Sequence, residues 1–181
     1  MRTLTQTHKI SDRVTAIIRD RQEGKTQKII SEYFNKDSIL LTHNFEHGKQ
    51  VRKRLEERFE WFRASQVSSF RTYSPVGRQD KRIVIDDFDC ILNGLTDDQV
   101  SSFMDYVIKH LKAIGQIVNG KTTRTYDPYG INFAHLFLMY KFPIELDTGV
   151  EIIVTATELL PSEFNRKINT IFASKIKPYI H

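Results

Sequence analysis

Cysteine is nearly absent. Cys90 stands alone among 181 residues, which excludes an intramolecular disulfide framework and suits a reducing compartment. Five prolines and eight glycines are too few for a low-complexity linker, and no internal repeat is visible. No apolar run approaches the roughly 20 residues that span a bilayer, and the opening Met1–His8 lacks the apolar centre of a secretory signal. The expectation is a cytoplasmic protein with no membrane segment. What is present, 40% apolar and 27% charged residues, is a globular balance. The length suits a single domain over 1–181, with a basic helical segment at 1–66 and an α+β core at 67–181.

Charge is unevenly placed. Residues 1–82 carry 18 Lys and Arg against 10 Asp and Glu, while the remainder carries 9 against 12. A basic front half beside an acidic centre points to a polyanionic partner, a nucleotide or nucleic acid, near an acidic pocket. A solvated basic helix surface is the alternative.

The acidic centre is Arg82-Ile83-Val84-Ile85-Asp86-Asp87-Phe88-Asp89-Cys90-Ile91-Leu92. Read as one buried strand, it sets Ile83, Ile85, Asp87, Asp89 and Ile91 on one face, and Val84, Asp86, Phe88 and Cys90 on the other. Carboxylates among apolar neighbours are costly unless paired, protonated or bound to a cation. Cys90 is expected to pack rather than react.

Around this stretch the pattern predicts further elements. Ser11 reads as the N-cap of a helix with Val14, Ile17 and Ile18, ended by Gly24. A short helix follows with Ile29, Ile30, Tyr33 and Phe34 inward, and Ser38–Thr42 fits a strand or a helical turn. From Lys49 to Arg63, Val51, Leu55, Phe59 and Phe62 form a helical stripe. The other faces of that helix carry Lys49, Arg52, Lys53, Arg54 and Arg58, which could follow a phosphate backbone; an exposed helix with intrahelical ion pairs is the alternative. His43 and His47 stand four apart, as zinc ligands on a helix do, but no third ligand lies at a telling spacing. Thr96 to Gln99 is a capping box opening a helix that keeps its apolar spacing to Ile117. Asn132–Ile144 and Val150–Thr157 read as a hairpin, and a last helix follows Pro161. The fold class expected is α+β, a small mixed or antiparallel sheet backed by helices, with a helical N-terminal segment.

Glu151 is a third carboxylate in an apolar strand. Should its strand neighbour the central one, Asp87, Asp89 and Glu151 would converge and hold one or two Mg²⁺ ions suited to in-line displacement at phosphorus. The order helix, strand, turn (Phe70–Arg78), Asp87-Phe88-Asp89 and Val150-Glu151-Ile152 resembles the nucleotidyltransferases of the DNA polymerase β superfamily over roughly residues 50–157. The resemblance implies that Asp87 and Asp89 bind metal. It makes Glu151 a metal ligand or the catalytic base, and Ser74 with Arg78 the nucleotide phosphate contacts. Tyr73-Ser74 replaces the Gly-Ser of that family, so active and degenerate members both fit. Ile83–Leu92 is also similar to the first motif of haloacid-dehalogenase-type phosphatases, which implies Asp87 as nucleophile and Asp89 as acid/base, with Cys90-Ile91 in place of Gly-Thr. In the plainest alternative the carboxylates pair with Arg71, Arg78, Lys81 or Arg82. A non-catalytic basic module, binding nucleic acid or a protein partner through Lys49–Arg63, is the competing function.

Overall fold

The computed structural model describes residues 6–19 and 24–180, with the Lys25 side chain excepted. Residues 1–5, part of the opening stretch read for a secretory signal, lie outside the described residues. The fold is α+β, with a mixed six-stranded sheet backed by helices, and the chain forms two compact units.

The first unit comprises residues 1–91 and 142–159. It contains β1 (Gln6–Ser11), β2 (Val14–Ile18), α1 (Lys25–Glu32), β3 (Ser38–Thr42), α2 (Phe45–Arg58), β4 (Val67–Ser69) and β5 (Arg82–Ile85). The helix α3 (Phe88–Asn93) follows, and α6 (Pro143–Asp147) and β8 (Glu151–Ala156) return to the unit. The sheet order is β1-β2-β8-β5-β3-β4. Strands β2, β8, β5, β3 and β4 run parallel, and β1 alone is antiparallel, to β2.

Strands covered on both faces need apolar residues at consecutive positions, and these strands have them. Ile39, Leu40, Leu41, Ile83, Val84, Ile85, Ile152, Ile153 and Val154 are all buried. On one face Ile17, Leu40, Val84 and Ile153 pack against Ile29 and Ile30 of α1 and against Val51 and Leu55 of α2. Phe34 extends this core and stacks on Trp61 at 5.8 Å between ring centroids.

The second unit, residues 92–141 and 160–181, holds α4 (Asp97–Ala113), the short ribbon β6 (Ile117–Val118) and β7 (Lys121–Thr122), α5 (Phe133–Lys141) and α7 (Ser162–Ile176). Thr96 caps α4 through the expected capping box with Gln99. Phe103 packs edge-on to Phe137 and stacks on Phe164, tying three helices together.

Four expectations are overturned. The N-terminal segment is a strand pair rather than a helix, because Val14, Ala16 and Ile17 are completely buried in an interior strand and their helical spacing is incidental. Gly24 opens α1 instead of ending a helix, with φ at +65° where glycine is unstrained. The central stretch is strand only to Ile85 and turns into α3 at Phe88, so Asp87 and Asp89 do not share a strand face with Ile83, nor Phe88 and Cys90 one with Val84. There is no hairpin at 132–157. Asn132 accepts a hydrogen bond from the His135 amide at 3.0 Å and starts α5, Pro143 fits the first turn of α6, and β8 lies parallel between β2 and β5.

Ile153 is 1% exposed at the centre of the sheet. Ile153→Ala is expected to cost about 2–5 kcal/mol of unfolding free energy in denaturant titrations; a loss below about 1 kcal/mol would contradict this placement.

Candidate functional site

In parallel sheets backed by helices, ligands bind beyond the carboxyl ends of the strands. The polar residues that the apolar strands cannot absorb collect there. Asp86 follows β5, Thr155 lies near the end of β8, Thr26 sits in the first turn of α1 after β2, and His43 and His47 follow β3.

Asp86 is the hub. Its side chain is 0% exposed. One carboxylate oxygen accepts from Thr155 Oγ1 at 2.7 Å. The other accepts from Thr26 Oγ1 at 2.6 Å and is 2.8 Å from His47 Nε2. Burial acts most strongly on this carboxyl and pushes its pKa upward, yet the hydrogen bonds from His47, Thr26 and Thr155 together hold it below the ordinary value. The bond to Asp86 raises His47 above its ordinary value, against the opposing effect of burial. Short range alone would not bring these residues together. Asn44 caps α2 by accepting from the His47 amide at 2.7 Å. The buried Gly48 lets that helix approach so closely that a Cβ there would stand 3.0 Å from Thr42 Oγ1.

Asp87 departs from the strand with φ at +54°, a left-handed backbone that a non-glycine residue adopts at a cost. Its amide donates to Thr155 Oγ1 at 3.0 Å. Its carboxylate lies 3.7 Å from His43 Nδ1 and 3.7 Å from His47 Nε2. The two imidazole rings are 5.2 Å apart. The third partner that residue spacing did not supply for His43 and His47 is therefore Asp87, brought in from the adjacent strand.

The other expected site residues divide. Asp89 accepts from the Thr157 amide at 2.9 Å and from the Cys90 amide at 3.0 Å, so it ties the start of α3 to the end of β8. Glu151 does not join the aspartates. It is paired in register with Arg82 at the amino end of β5, forms an ion pair with that arginine at 2.9 Å and is 43% exposed. The four residue-to-residue steps from Arg82 to Asp86 span about 13 Å at the usual strand rise. Arg78 bonds to Asp80 and to the Ser65 carbonyl, and Ser74 lies in an exposed loop, accepting from the Val76 amide at 3.4 Å. Tyr73, Pro75 and Arg78 line a pocket with Lys81 and Val150, residues that precede the amino ends of β5 and β8. The expected Asp87, Asp89, Glu151 convergence is thus corrected: parallel pairing places Glu151 and the Ser74–Arg78 turn at the opposite end of the strands.

Along α2, Arg52 donates to the Val67 carbonyl, Arg58 donates to Ser31 Oγ, and Lys49 pairs with Glu46 at 3.6 Å. Lys53 and Arg54 are exposed. Much of the basic face expected to follow a phosphate backbone is therefore engaged within the chain.

Sequence reasoning passed over Thr26. The signal was Gly24-Lys25-Thr26 between a strand and a helix, the second half of the phosphate-binding pattern Gly-x-x-x-x-Gly-Lys-(Ser/Thr). Arg19 stands where that pattern begins with glycine, and β2 reads as a helix, so the context was hidden. No protein-family model matches the chain, and no similar curated protein or solved structure was found.

The His47–Asp86 pair carries a pH signature. The His47 pKa is raised on folding, so its contribution is fully present below its ordinary value of 6.5 and is lost as pH rises through the raised value. Asp86 is lowered, so its contribution is present above 3.8 and is lost as pH falls through the depressed value. Thermal melts should show wild-type stability declining above pH 6.5, and His47→Gln should flatten that decline. Parallel profiles for the two proteins would contradict the pairing.

Proposed function

We propose that this chain binds a nucleoside triphosphate with Mg²⁺ at the carboxyl ends of β2, β5 and β8, in the manner of P-loop nucleotide-binding proteins, and hydrolyses its terminal phosphate. The observation that carries this reading is the 2.6 Å bond from Thr26 to Asp86. It joins the hydroxyl of a Gly-Lys-Thr turn opening α1 to a buried carboxylate two strands away in the sheet. In P-loop proteins a hydroxyl and a carboxylate in these roles hold the ion.

The donors suit the ligand. A hydroxyl and a carboxylate are hard oxygen groups, which Mg²⁺ prefers together with substrate phosphates. The first turn of α1 has no acidic residue, and Gly24 contributes no side-chain cap. Its amides and the positive end of its dipole therefore face an anion without competition. When bound, the ion neutralises charge on the phosphate oxygens and orients the terminal phosphoryl group.

Each residue then has a task. Gly24 permits the turn through its φ of +65°. Asp86 fixes the Thr26 rotamer and is itself fixed by Thr155. Asp87, turned out of the strand by its positive φ, offers a carboxylate that orients an attacking water. The ion and nucleotide expected from sequence are retained in this reading, and the residues that hold them change: Thr26 and Asp86 take the place of Asp89 and Glu151.

Calorimetry with Mg²⁺ and ATP tests it. Wild type should bind, and Thr26→Val and Asp86→Asn should each weaken binding at least tenfold. Glu151→Gln, at the other end of the strands, should bind as wild type does. Absence of binding by the wild type, or a Thr26→Val variant that binds normally, would refute the reading; loss confined to Glu151→Gln would restore the nucleotidyltransferase-like arrangement.

A further inference from the structure

Beside the Asp86 hub lies a second constellation, which shares Asp87 with the proposed nucleotide chemistry and adds two histidines that this chemistry leaves without a task. His43, His47 and Asp87 each offer one ligand atom, and the three atoms lie within 4.8 Å of one another. The geometry points to a transition-metal site in which His43, His47 and Asp87 hold one Zn²⁺-class divalent ion, distinct from the Mg²⁺ that accompanies a nucleotide.

Three observations converge on this. Donors around a tetrahedral ion at ordinary bond lengths stand about 3.3 Å apart. Asp87 Oδ2 is 3.7 Å from both His43 Nδ1 and His47 Nε2, within a few tenths of an ångström of that spacing, and all three donors lie within 4.8 Å of one another. His43 Nδ1 is buried and has no hydrogen-bond partner, a state that is costly for an imidazole nitrogen and that an ion relieves. Asp87 holds its side chain in place through a left-handed backbone at φ +54°, and strain of this kind is kept where the position of the side chain matters.

The donor chemistry selects the metal. Two imidazole nitrogens with one carboxylate oxygen suit first-row transition ions, whereas Mg²⁺ takes oxygen ligands. Three protein ligands leave a fourth position open, the arrangement of catalytic rather than structural zinc. His47 Nε2, now hydrogen-bonded to Asp86, turns to the ion, while Asp86 keeps Thr26 and Thr155. The metal site stands on its own geometry. That its open position faces a terminal phosphate rests on the nucleotide reading given above.

The test is a Co²⁺ titration of the metal-stripped full chain, followed by the visible absorption of the bound ion. One equivalent should bind and be displaced by Zn²⁺. His43→Ala and Asp87→Asn should each weaken binding at least tenfold, and His135→Ala, outside the cluster, should leave it unchanged. Asparagine tolerates the left-handed backbone at position 87, so Asp87→Asn remains informative if His43→Ala fails to fold by circular dichroism. Absence of stoichiometric binding, or wild-type binding by folded Asp87→Asn, would overturn the proposal. Binding of Mg²⁺ with ATP by the metal-stripped wild type is measured separately, so the metal site and the nucleotide site can fail independently.

Discussion

A carboxylate with no exposed surface governs this molecule. Asp86 has lost its water, and its ionised form survives there because hydroxyls of Thr26 and Thr155 and the imidazole of His47 replace the lost solvent. Those three donors come from α1, β8 and α2, and Asp86 itself directly follows β5. One buried charge therefore fixes the relative placement of four elements at one end of the sheet. Removing any donor leaves the others to carry an under-solvated charge, so the cluster behaves as a unit rather than as three separate contacts.

The parallel sheet explains why the polar groups gather at that end. Its strands are apolar at nearly every position because both faces are covered, and the first positions free to be polar are those beyond the last ladder bond. Asp86, Asp87 and Thr42 occupy such positions or border them. At the other end, Arg82 and Glu151 form an ion pair across neighbouring strands. The central aspartates and Glu151, all carboxylates among apolar neighbours in sequence, thus have different roles, the former sustaining a charge cluster and the latter a partly exposed ion pair.

Much of the architecture was legible from residue pattern alone. The capping box at Thr96–Gln99 formed as read, while two helices kept the core of their stripes with other bounds: α2 ends at Arg58, leaving Phe59 and Phe62 beyond it, and α4 ends at Ala113, before Ile117 of β6. Failures fell where tertiary burial outweighs periodicity. Val14, Ile17 and Ile18 match a helix by spacing and a buried strand by composition, and only the neighbouring β8 decides between them. Phe133–Lys141 is apolar on several sides, which hides its helical period and imitates a strand. The central aspartates were recognised as the expensive feature, but their partners were not. Thr26 and Thr155 lie 60 and 69 residues from Asp86, and such long-range pairing has no short-range signature.

The proposed seat of the phosphates at the first turn of α1 is open to direct test. A structure determined with Mg²⁺ and a non-hydrolysable nucleoside triphosphate addresses this directly. The phosphate chain should lie against the first turn of α1, with the Thr26 hydroxyl drawn from Asp86 to the ion. A triphosphate seated instead at the amino ends of the strands, beside Arg78 and Glu151 with the Thr26–Asp86 bond intact, would contradict the account.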